Sequence, residues 1–286
     1  MKNQNPFAAA KILRAKAFTD GILLKNSFGS AMGLFLAGIP SRTGYVRDGR
    51  GFLLTNKLYP AKDSRGKFMA NPMVDYYLAI AESLGCDVSQ RQLELTVDED
   101  KKEELLRKLP SLAESGRPVV ILVPGGAFGP SKCWMSERFA QTADWLIDRY
   151  NAQVVISVSP NPFEKRIADE ICSCSGNQFI NLAQTPVTLG ELKSLFSMAQ
   201  LVITNDTGPR HIAIALGRRV VTLFGPNDPA WTDTGYEKEI KLTPEGPCVM
   251  CGKPVCDKPA HFCMESITVE KVCQAAQRLL GENGNR

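Results

Sequence analysis

The sequence predicts an α/β protein with one complete doubly wound domain and a second, incomplete domain. From Pro118 onward, short β-branched apolar runs alternate with amphipathic stretches, a pattern typical of βαβ units with a parallel sheet. In the first hundred residues the pattern indicates only one buried strand, residues 21–24. Since parallel strands are normally paired on their edges, this strand implies partner strands outside the chain, and we infer a missing N-terminal piece.

The elements of the complete domain follow from the positions of the apolar residues. The predicted strands are residues 119–123, 154–158, 179–182, 201–204 and 220–224, and the predicted helices between them are residues 136–150, 164–172, 189–199 and 207–216. Upstream, helices are predicted at residues 28–37, 69–84 and 98–109, and a closing helix is predicted at residues 268–280. Five strands with their crossovers make a domain whose ligands bind beyond the carboxyl ends of the strands.

Composition excludes several classes of function. With 286 residues, 44% hydrophobic and 22% charged, the chain is long and apolar enough to fold. A net charge of +4 is too small and scattered for nucleic-acid binding, although it suits a small anionic substrate. No apolar run approaches the ~20 residues of a membrane span, and the first residues lack the apolar core of a signal peptide. We therefore expect a cytoplasmic protein.

The first candidate site is the glycine-rich loop after strand 119–123, which reads PGGAFGPSKCW and contains Gly126, Ala127 and Lys132. Backbone amides in such a turn, together with one lysine, can hold a diphosphate. The loop lacks the spacing of a Walker motif. A structural turn with a solvated Lys132 is therefore the alternative interpretation.

The second candidate site follows strand 201–204, where NDTGPRHIA begins a helix. Asp206 stands at the carboxyl end of the strand, and Thr207 and Gly208 offer amides at a helix N-terminus, where the helix dipole favours an anion. This arrangement predicts a phosphate site with a carboxylate beside it. The alternative is that Asp206 is a simple N-cap and His211 a structural histidine.

Four cysteines are clustered near the C-terminus. Cys248, Cys251, Cys256 and Cys263, with His261, form the pattern C-x2-C-x4-C-x4-H-x-C. This spacing suits a closed tetrahedral structural zinc site, with His261 as a competing ligand. A reduced loop is the alternative, and a zinc-dependent interaction module is a third hypothesis for the whole chain.

Three segments together resemble glycosyltransferase family 9, the lipopolysaccharide heptosyltransferases. They are PGGAFGPSKCW, NDTGPRHIAIALGRRVVTLFGPNDPAWT and the cysteine-rich tail, and upstream KNSFGSAMGLFLAGIPSRTGY, an arginine and FLLT resemble the family's N-terminal domain from its middle onward. The resemblance implies a GT-B fold with two Rossmann-like domains. It places a partial acceptor-side domain at residues 1–97, a linker helix at 98–117 and a donor domain at 118–286, with the cysteine-rich segment at 248–263.

The resemblance also implies an inverting, metal-independent transfer of heptose from ADP-heptose to the lipopolysaccharide inner core, with peripheral contact at the inner face of the cytoplasmic membrane. Lys132 would neutralise the diphosphate, and Asp206 would hold the heptose hydroxyls. Further donor contacts carried over by motif are Gly126, Ala127, Thr207, Gly208 and His211, and more loosely Glu164, which is equally well explained as a first-turn glutamate favoured by the helix dipole.

The chain departs from the family pattern at its start. Family members carry a Gly-Asp loop with the general-base aspartate upstream of the N-S-F segment, and no such loop stands there in this sequence. Asp20 precedes strand 21–24 at the end away from a Rossmann cleft, so we expect a structural role for it. Asn26 and Ser27, at the other end of the strand, are better candidates for acceptor contacts. A catalytically impaired, nucleotide-sugar-binding remnant is therefore the alternative function.

Overall fold

The computed structural model describes residues 5–246, 248 and 250–281. Its internal contacts divide the chain into two compact units. The first unit runs to Arg91 and takes in Ala230–Thr234, and the second comprises Gln92–Pro229 and Gly235–Arg286. The boundary therefore lies slightly before the one expected after residue 97.

The first unit contains a small parallel sheet flanked by helices. Its elements are α1 (Pro6–Arg14), β1 (Asp20–Leu23), α2 (Phe28–Leu36), β2 (Ser41–Tyr45), β3 (Asn56–Leu58) and α3 (Met73–Ser83). The described strands lie in the order β1-β2-β3, and both pairings are parallel. The described core of the unit includes Leu23, Ala31, Leu53 and Leu54.

This sheet corrects the expectation that the partners of the first strand lie outside the chain. The partner strand β2 lies in a segment, SRTGY, that carries one arginine and few apolar residues, so its sequence resembles a loop. The first strand is also less buried than expected, because only Leu23 of β1 is buried and Ile22 is 54% exposed. That the N-terminal domain is incomplete stays a prediction.

The second unit is a doubly wound α/β domain. Its elements are α4 (Glu99–Lys108), α5 (Ser111–Glu114), β4 (Val119–Val123), α6 (Ser136–Tyr150), β5 (Gln153–Ile156), α7 (Pro162–Ser173), β6 (Ile180–Asn181), α8 (Leu189–Met198), β7 (Ala199–Asn205), α9 (Gly208–Ala215), β8 (Arg219–Leu223), β9 (Glu239–Leu242), α10 (Phe262–Glu265) and α11 (Val269–Leu280). The described strands form one parallel sheet in the order β6-β5-β4-β7-β8-β9.

All five strands predicted for this domain are present, with small shifts at their ends. The sixth, β9, was not predicted because its sequence, EIKL, has only two apolar residues. It pairs with β8. This omission matters for the site, since β9 begins with Glu239.

The core of the second unit lies on both faces of the sheet. Every residue of β4 is buried, and its side chains alternate between two apolar clusters: Val120 and Leu122 face one, while Val119, Ile121 and Val123 face the other. Burial on both faces is what makes a central parallel strand a continuous apolar run in the sequence. This is why the sequence alone located β4 without error.

Helix α4 packs within the second unit rather than acting only as a connection between domains. Leu105 of α4 is fully buried in the same cluster as Leu195 and Phe196 of α8. Lys108 at the end of α4 forms an ion pair with Glu191 at 2.5 Å. These contacts explain why the division of the chain falls before α4.

Candidate functional site

The candidate site lies at the carboxyl edge of the sheet of the second unit. From the central strand β4, the sheet continues through β5 and β6 on one side and through β7, β8 and β9 on the other. The order of the strands therefore reverses at the gap between β4 and β7. In open α/β sheets, ligands bind at such a switch point, beyond the carboxyl ends of the strands. The two segments leaving these strands, the glycine-rich loop and the Asp206 turn, are those singled out in the sequence.

Lys132 and Asp206 form a buried ion pair between these two segments. The Nζ atom of Lys132 donates hydrogen bonds of 2.7 Å to a carboxylate oxygen and to the backbone carbonyl oxygen of Asp206. The side chains of Lys132 and Asp206 are 9% and 6% exposed. The lysine is therefore buried. This contradicts the alternative interpretation of the loop as a structural turn with a solvated Lys132.

The charge state of Asp206 follows from these contacts. Burial alone raises the pKa of its carboxyl group. The hydrogen bond and charge of Lys132, the charge of Arg210 and a hydrogen bond from Asn227 outweigh burial, so the pKa is lowered from its usual value. Asp206 is thus a carboxylate at neutral pH, with oxygen atoms that accept hydrogen bonds.

A second buried ion pair, between Arg210 and Glu239, contacts the Lys132–Asp206 pair through Arg210. Arg210 donates to both carboxylate oxygens of Glu239, at 2.6 and 3.0 Å, and the side chains of both residues are 0% exposed. Its guanidinium also lies 3.4 Å from a carboxylate oxygen of Asp206, and Thr222 donates to Glu239 at 2.6 Å. Two cations and two anions thus alternate along a buried chain of contacts.

Sequence reasoning did not identify Arg210, Glu239 or Asn227 as part of the site. The only local signal was for Arg210, which stands in the first turn of the predicted helix, four residues after Asp206. Nothing in the sequence could pair Arg210 with Glu239, because that contact depends on the unpredicted strand β9.

The N-terminus of α9 lies directly beside the ion pair. Thr207 is the N-cap residue of α9 and Gly208 is its first residue, which is exposed. Pro209 has no amide hydrogen and the Arg210 amide donates to the Thr207 carbonyl at 3.1 Å, so the start of α9 offers an anion the Gly208 amide and the partial positive charge of the helix dipole. Burial, then the charge of Arg210, lower the pKa of His211, so this histidine is neutral at pH 7. The turn can therefore hold an anion without relying on a histidine charge.

The glycine-rich loop packs closely on its neighbours. A Cβ atom at Gly125 would lie 2.4 Å from the Glu164 side chain, so a larger residue there would displace the Glu164 carboxylate. Gly126 is half-buried, and a Cβ atom there would lie 3.9 Å from the Thr207 side chain, whereas Ala127 is exposed. The structure thus brings Gly126, Lys132, Asp206 and Thr207 together.

Glu164 belongs to the first turn of α7, as predicted, and its side chain turns toward the loop. It is 9% exposed and accepts a hydrogen bond of 2.8 Å from the Ser159 amide. The same residue therefore caps local backbone and contacts the glycine-rich loop at Gly125. A role in donor binding stays a prediction.

Asn26 and Ser27 follow strand β1 in the first unit. The side-chain oxygen of Asn26 accepts from Arg50 at 3.1 Å and from the Tyr76 hydroxyl at 3.0 Å, and Arg50 is completely buried. The hydroxyl of Ser27 donates to Ser30 at 3.2 Å. Asp20 starts β1 at the opposite end, is exposed and accepts from the Thr19 hydroxyl at 2.8 Å.

The four clustered cysteines line one pocket, but the structure does not support a zinc site. The pocket has a volume of about 230 Å³ and is lined by Cys248, Cys251, Cys256, Cys263 and His261, with Ser131, Pro226, Lys253, Asp257 and Lys258. In the described part of the chain, which includes all four cysteines, no group of three or more His, Cys, Asp or Glu residues is placed to hold a metal ion.

The contacts of the individual residues explain this outcome. The ring nitrogen Nε2 of His261 is bonded to the Ser131 carbonyl oxygen at 2.8 Å. Cys263 is part of the apolar core, and burial raises the pKa of its thiol to about 11. Cys251, in contrast, is exposed. The cysteines therefore line a pocket as free thiols, and the expectation of structural zinc at this cluster is not supported.

Comparison with known proteins identifies relatives over most of the chain. A family model described as "Glycosyltransferase family 9 (heptosyltransferase)" matches residues 7–257. Lipopolysaccharide heptosyltransferase 2 of Escherichia coli K12 is 33% identical over 80% of this chain and 69% of its own length. The Salmonella typhimurium enzyme of the same name is 30% identical over 95% and 78% of the two chains.

A solved structure has the same fold. The structure of E. coli ADP-heptose lps heptosyltransferase II aligns with a TM-score of 0.76 and 27% identity, and the alignment covers 96% of this chain and 80% of that one. Its similarity extends over both units of the chain.

Proposed function

The chain belongs to glycosyltransferase family 9 (heptosyltransferase), and from that premise we propose that it transfers heptose from ADP-heptose to the lipopolysaccharide inner core. The E. coli and Salmonella relatives are lipopolysaccharide heptosyltransferases by name, which supports this activity. The observation that carries the proposal is the buried Lys132–Asp206 pair beside the N-terminus of α9.

The second unit supplies the donor site in this proposal. The diphosphate of ADP-heptose lies against Lys132 and the Gly208 amide at the start of α9, with Gly126 and Ala127 alongside. Negative charge grows on the diphosphate as the bond to the heptose breaks, and a fixed cation and helix dipole stabilise that charge. Asp206, ionised and held by Lys132, accepts hydrogen bonds from the heptose hydroxyls.

The first unit supplies the acceptor side, with Asn26 and Ser27 at the carboxyl end of β1. Arg50 and Tyr76 hold the Asn26 oxygen, so the orientation of this side chain is set before a ligand arrives. In the transfer, a hydroxyl of the inner-core acceptor attacks the anomeric carbon with inversion, and ADP leaves.

An acceptor-dependent assay tests the proposal. With ADP-heptose and a lipopolysaccharide inner core that lacks the heptose to be added, we expect release of ADP and a gain of one heptose on the acceptor, detected by mass spectrometry. The control omits the acceptor. Binding of ADP-heptose without acceptor-dependent release of ADP would instead identify a nucleotide-sugar-binding remnant, an alternative that the similarity to named transferases does not favour.

Contact with the membrane surface is a further part of the proposal, since the acceptor is anchored in lipid. Among the described residues, no helix is long and apolar enough to cross a bilayer. Around α1, however, Phe7, Ile12 and Phe18 are between 50% and 68% exposed, next to the exposed Lys11 and Lys16. Exposed aromatic and aliphatic side chains beside lysines are typical of interfacial segments that bind anionic lipid.

Vesicle sedimentation tests this contact. We expect the protein to sediment with vesicles containing anionic phospholipid, and the double substitution Phe7→Ser/Ile12→Ser to reduce the bound fraction severalfold, because it removes apolar area that enters the interface. The matched control is Leu189→Ser, which removes another exposed apolar side chain, in the second unit. Equal binding by the double variant and the control would exclude α1 as the contact.

A further inference from the structure

The segment that carries the cysteine motif holds the loop of Lys132 in place. We call residues 252–263 the clamp segment. Lys132 ends a tight turn, in which its amide donates to the Gly129 carbonyl at 3.3 Å and the next amide, that of Cys133, donates to the Pro130 carbonyl at 3.0 Å. The residue immediately before Lys132 is Ser131, which is 3% exposed and lies against the clamp segment.

All three polar groups of Ser131 bond to the clamp segment. Its amide donates to the Pro254 carbonyl at 3.2 Å, and its hydroxyl donates to the Lys253 carbonyl at 2.6 Å. Its carbonyl oxygen lies 2.8 Å from Nε2 of His261. Because a carbonyl oxygen only accepts, Nε2 carries the hydrogen and donates.

Two further contacts join the clamp segment to the glycine-rich loop and to the loop after β8, which contacts Asp206. A Cβ atom at Gly129, where φ is +148°, would lie 2.3 Å from the Pro254 carbonyl oxygen, so the loop backbone touches the segment there. The amide of Gly252 donates to the Pro226 carbonyl at 2.8 Å. Pro226 precedes Asn227, which donates to the Asp206 carboxylate at 3.3 Å.

The bond from His261 has a direct geometric consequence for Lys132. The carbonyl of Ser131 and the amide of Lys132 belong to one planar peptide group. Holding the carbonyl oxygen therefore restricts the rotation of that plane and the direction in which the Lys132 side chain leaves the backbone. Among the three bonds to Ser131, this is the one formed by a side chain of the clamp segment, so substitution can remove it selectively.

We propose that His261 is a positioning residue for Lys132, and that the clamp segment exists to hold the lysine where the diphosphate of the donor binds. The inference rests on the proposed function of the site. It assigns a role to the cysteine-rich segment that requires no metal ion. The segment supports the loop of Lys132 through its hydrogen bonds to Ser131.

Two substitutions at the same position test the inference. His261→Phe keeps a ring of similar size but removes the donor, whereas His261→Gln supplies an amide N–H at the position of Nε2. We expect His261→Phe to lower kcat/KM for ADP-heptose and to weaken ADP binding by about tenfold, the equivalent of one hydrogen bond of about 1.4 kcal/mol. We expect His261→Gln to restore both to within about twofold of the wild-type values.

Melting temperature and a second variant separate positioning from loss of fold. Both His261 variants should melt close to the wild type, and Cys251→Ser, which changes an exposed side chain of the same pocket, should leave kcat/KM and ADP binding unchanged. Equal effects of the Phe and Gln variants, or unchanged ADP affinity in the Phe variant, would overturn the inference.

Lys132→Ala, measured in parallel, distinguishes this inference from the proposed function. If Lys132→Ala weakens ADP binding and His261→Phe does not, the donor site stands and the role of His261 is rejected. If the wild type binds no ADP, both the proposed function and the inference are wrong.

Discussion

Replacement of Lys132 by alanine is expected to weaken ADP-heptose binding at least 100-fold. The substitution removes the cation that faces the diphosphate, and it leaves Asp206 buried without its partner at 2.7 Å. Removing one member of a hydrogen-bonded charge pair across a binding interface, here Lys132 and the diphosphate, costs about 2–5 kcal/mol of binding free energy. Isothermal titration calorimetry with ADP-heptose measures the change directly, and acceptor-dependent release of ADP should fall in parallel.

The controls for Lys132 address charge and folding separately. Lys238→Ala removes the same charge from an exposed position just before β9, at the amino edge of the sheet, and should bind ADP-heptose as the wild type does. Lys132→Met keeps most of the side-chain volume and should bind as weakly as the alanine variant. A Lys132 variant that retains the wild-type affinity would show that the donor site is assigned to the wrong residue.

Replacement of Glu239 by alanine is expected to lower the free energy of unfolding by about 3–5 kcal/mol. Arg210 and Glu239 form a two-pronged ion pair whose side chains are completely buried, and removal of the carboxylate leaves the Arg210 charge in the interior. Breaking such a pair is costly because the remaining charge has lost its water and its nearest partner, and the Asp206 carboxylate, 3.4 Å from the guanidinium, replaces that partner only in part. Urea denaturation followed by circular dichroism measures the effect.

A double-mutant cycle tests whether the cost arises from the unpaired charge. We expect Arg210→Met/Glu239→Met to be more stable than the sum of the two single substitutions predicts, because an apolar pair of similar volume leaves neither charge of this pair buried without the other. Glu237→Ala, two residues earlier and exposed, is the matched control and should change stability by less than about 0.5 kcal/mol. A similarly small effect of Glu239→Ala would contradict the prediction.

The donor-side fold was predictable because its strands are buried on both faces. Residues 119–123 were assigned as a strand, and β4 has these bounds. Helix α6 likewise covers the predicted residues 136–150. Such strands and helices show their burial in consecutive or periodic apolar residues, so a single sequence is sufficient to find them.

The errors occurred where a strand is short and polar. Strands β2, β3 and β9 contain Arg42, Lys57 and Lys241 and few apolar residues, and all three were missed. Each is held by hydrogen bonds to a neighbouring strand that is distant in the sequence. Those bonds are made by backbone groups, which leave no pattern in the side chains.

The candidate site was found in part from the residues and in part from the family resemblance. Lys132 and Asp206 stood in turns that local rules associate with anions, and the resemblance assigned roles to them. The cysteine spacing suggested zinc, whereas the structure shows His261 bonded to Ser131 and Cys263 in the core. Spacing along the chain does not determine whether side chains converge on one point.

By itself, the sequence determined the α/β class, the donor-side strands and helices, the two turns with Lys132 and Asp206, and membership of a transferase family. Only the tertiary structure decided that Lys132 and Asp206 form a buried pair, that Glu239 supports it through Arg210, and that the cysteine segment clamps the lysine loop. The physical reason is that local pattern reports burial and turn geometry within a few residues, whereas these contacts join residues 29 to 130 positions apart, and the packing of the sheet brings them together.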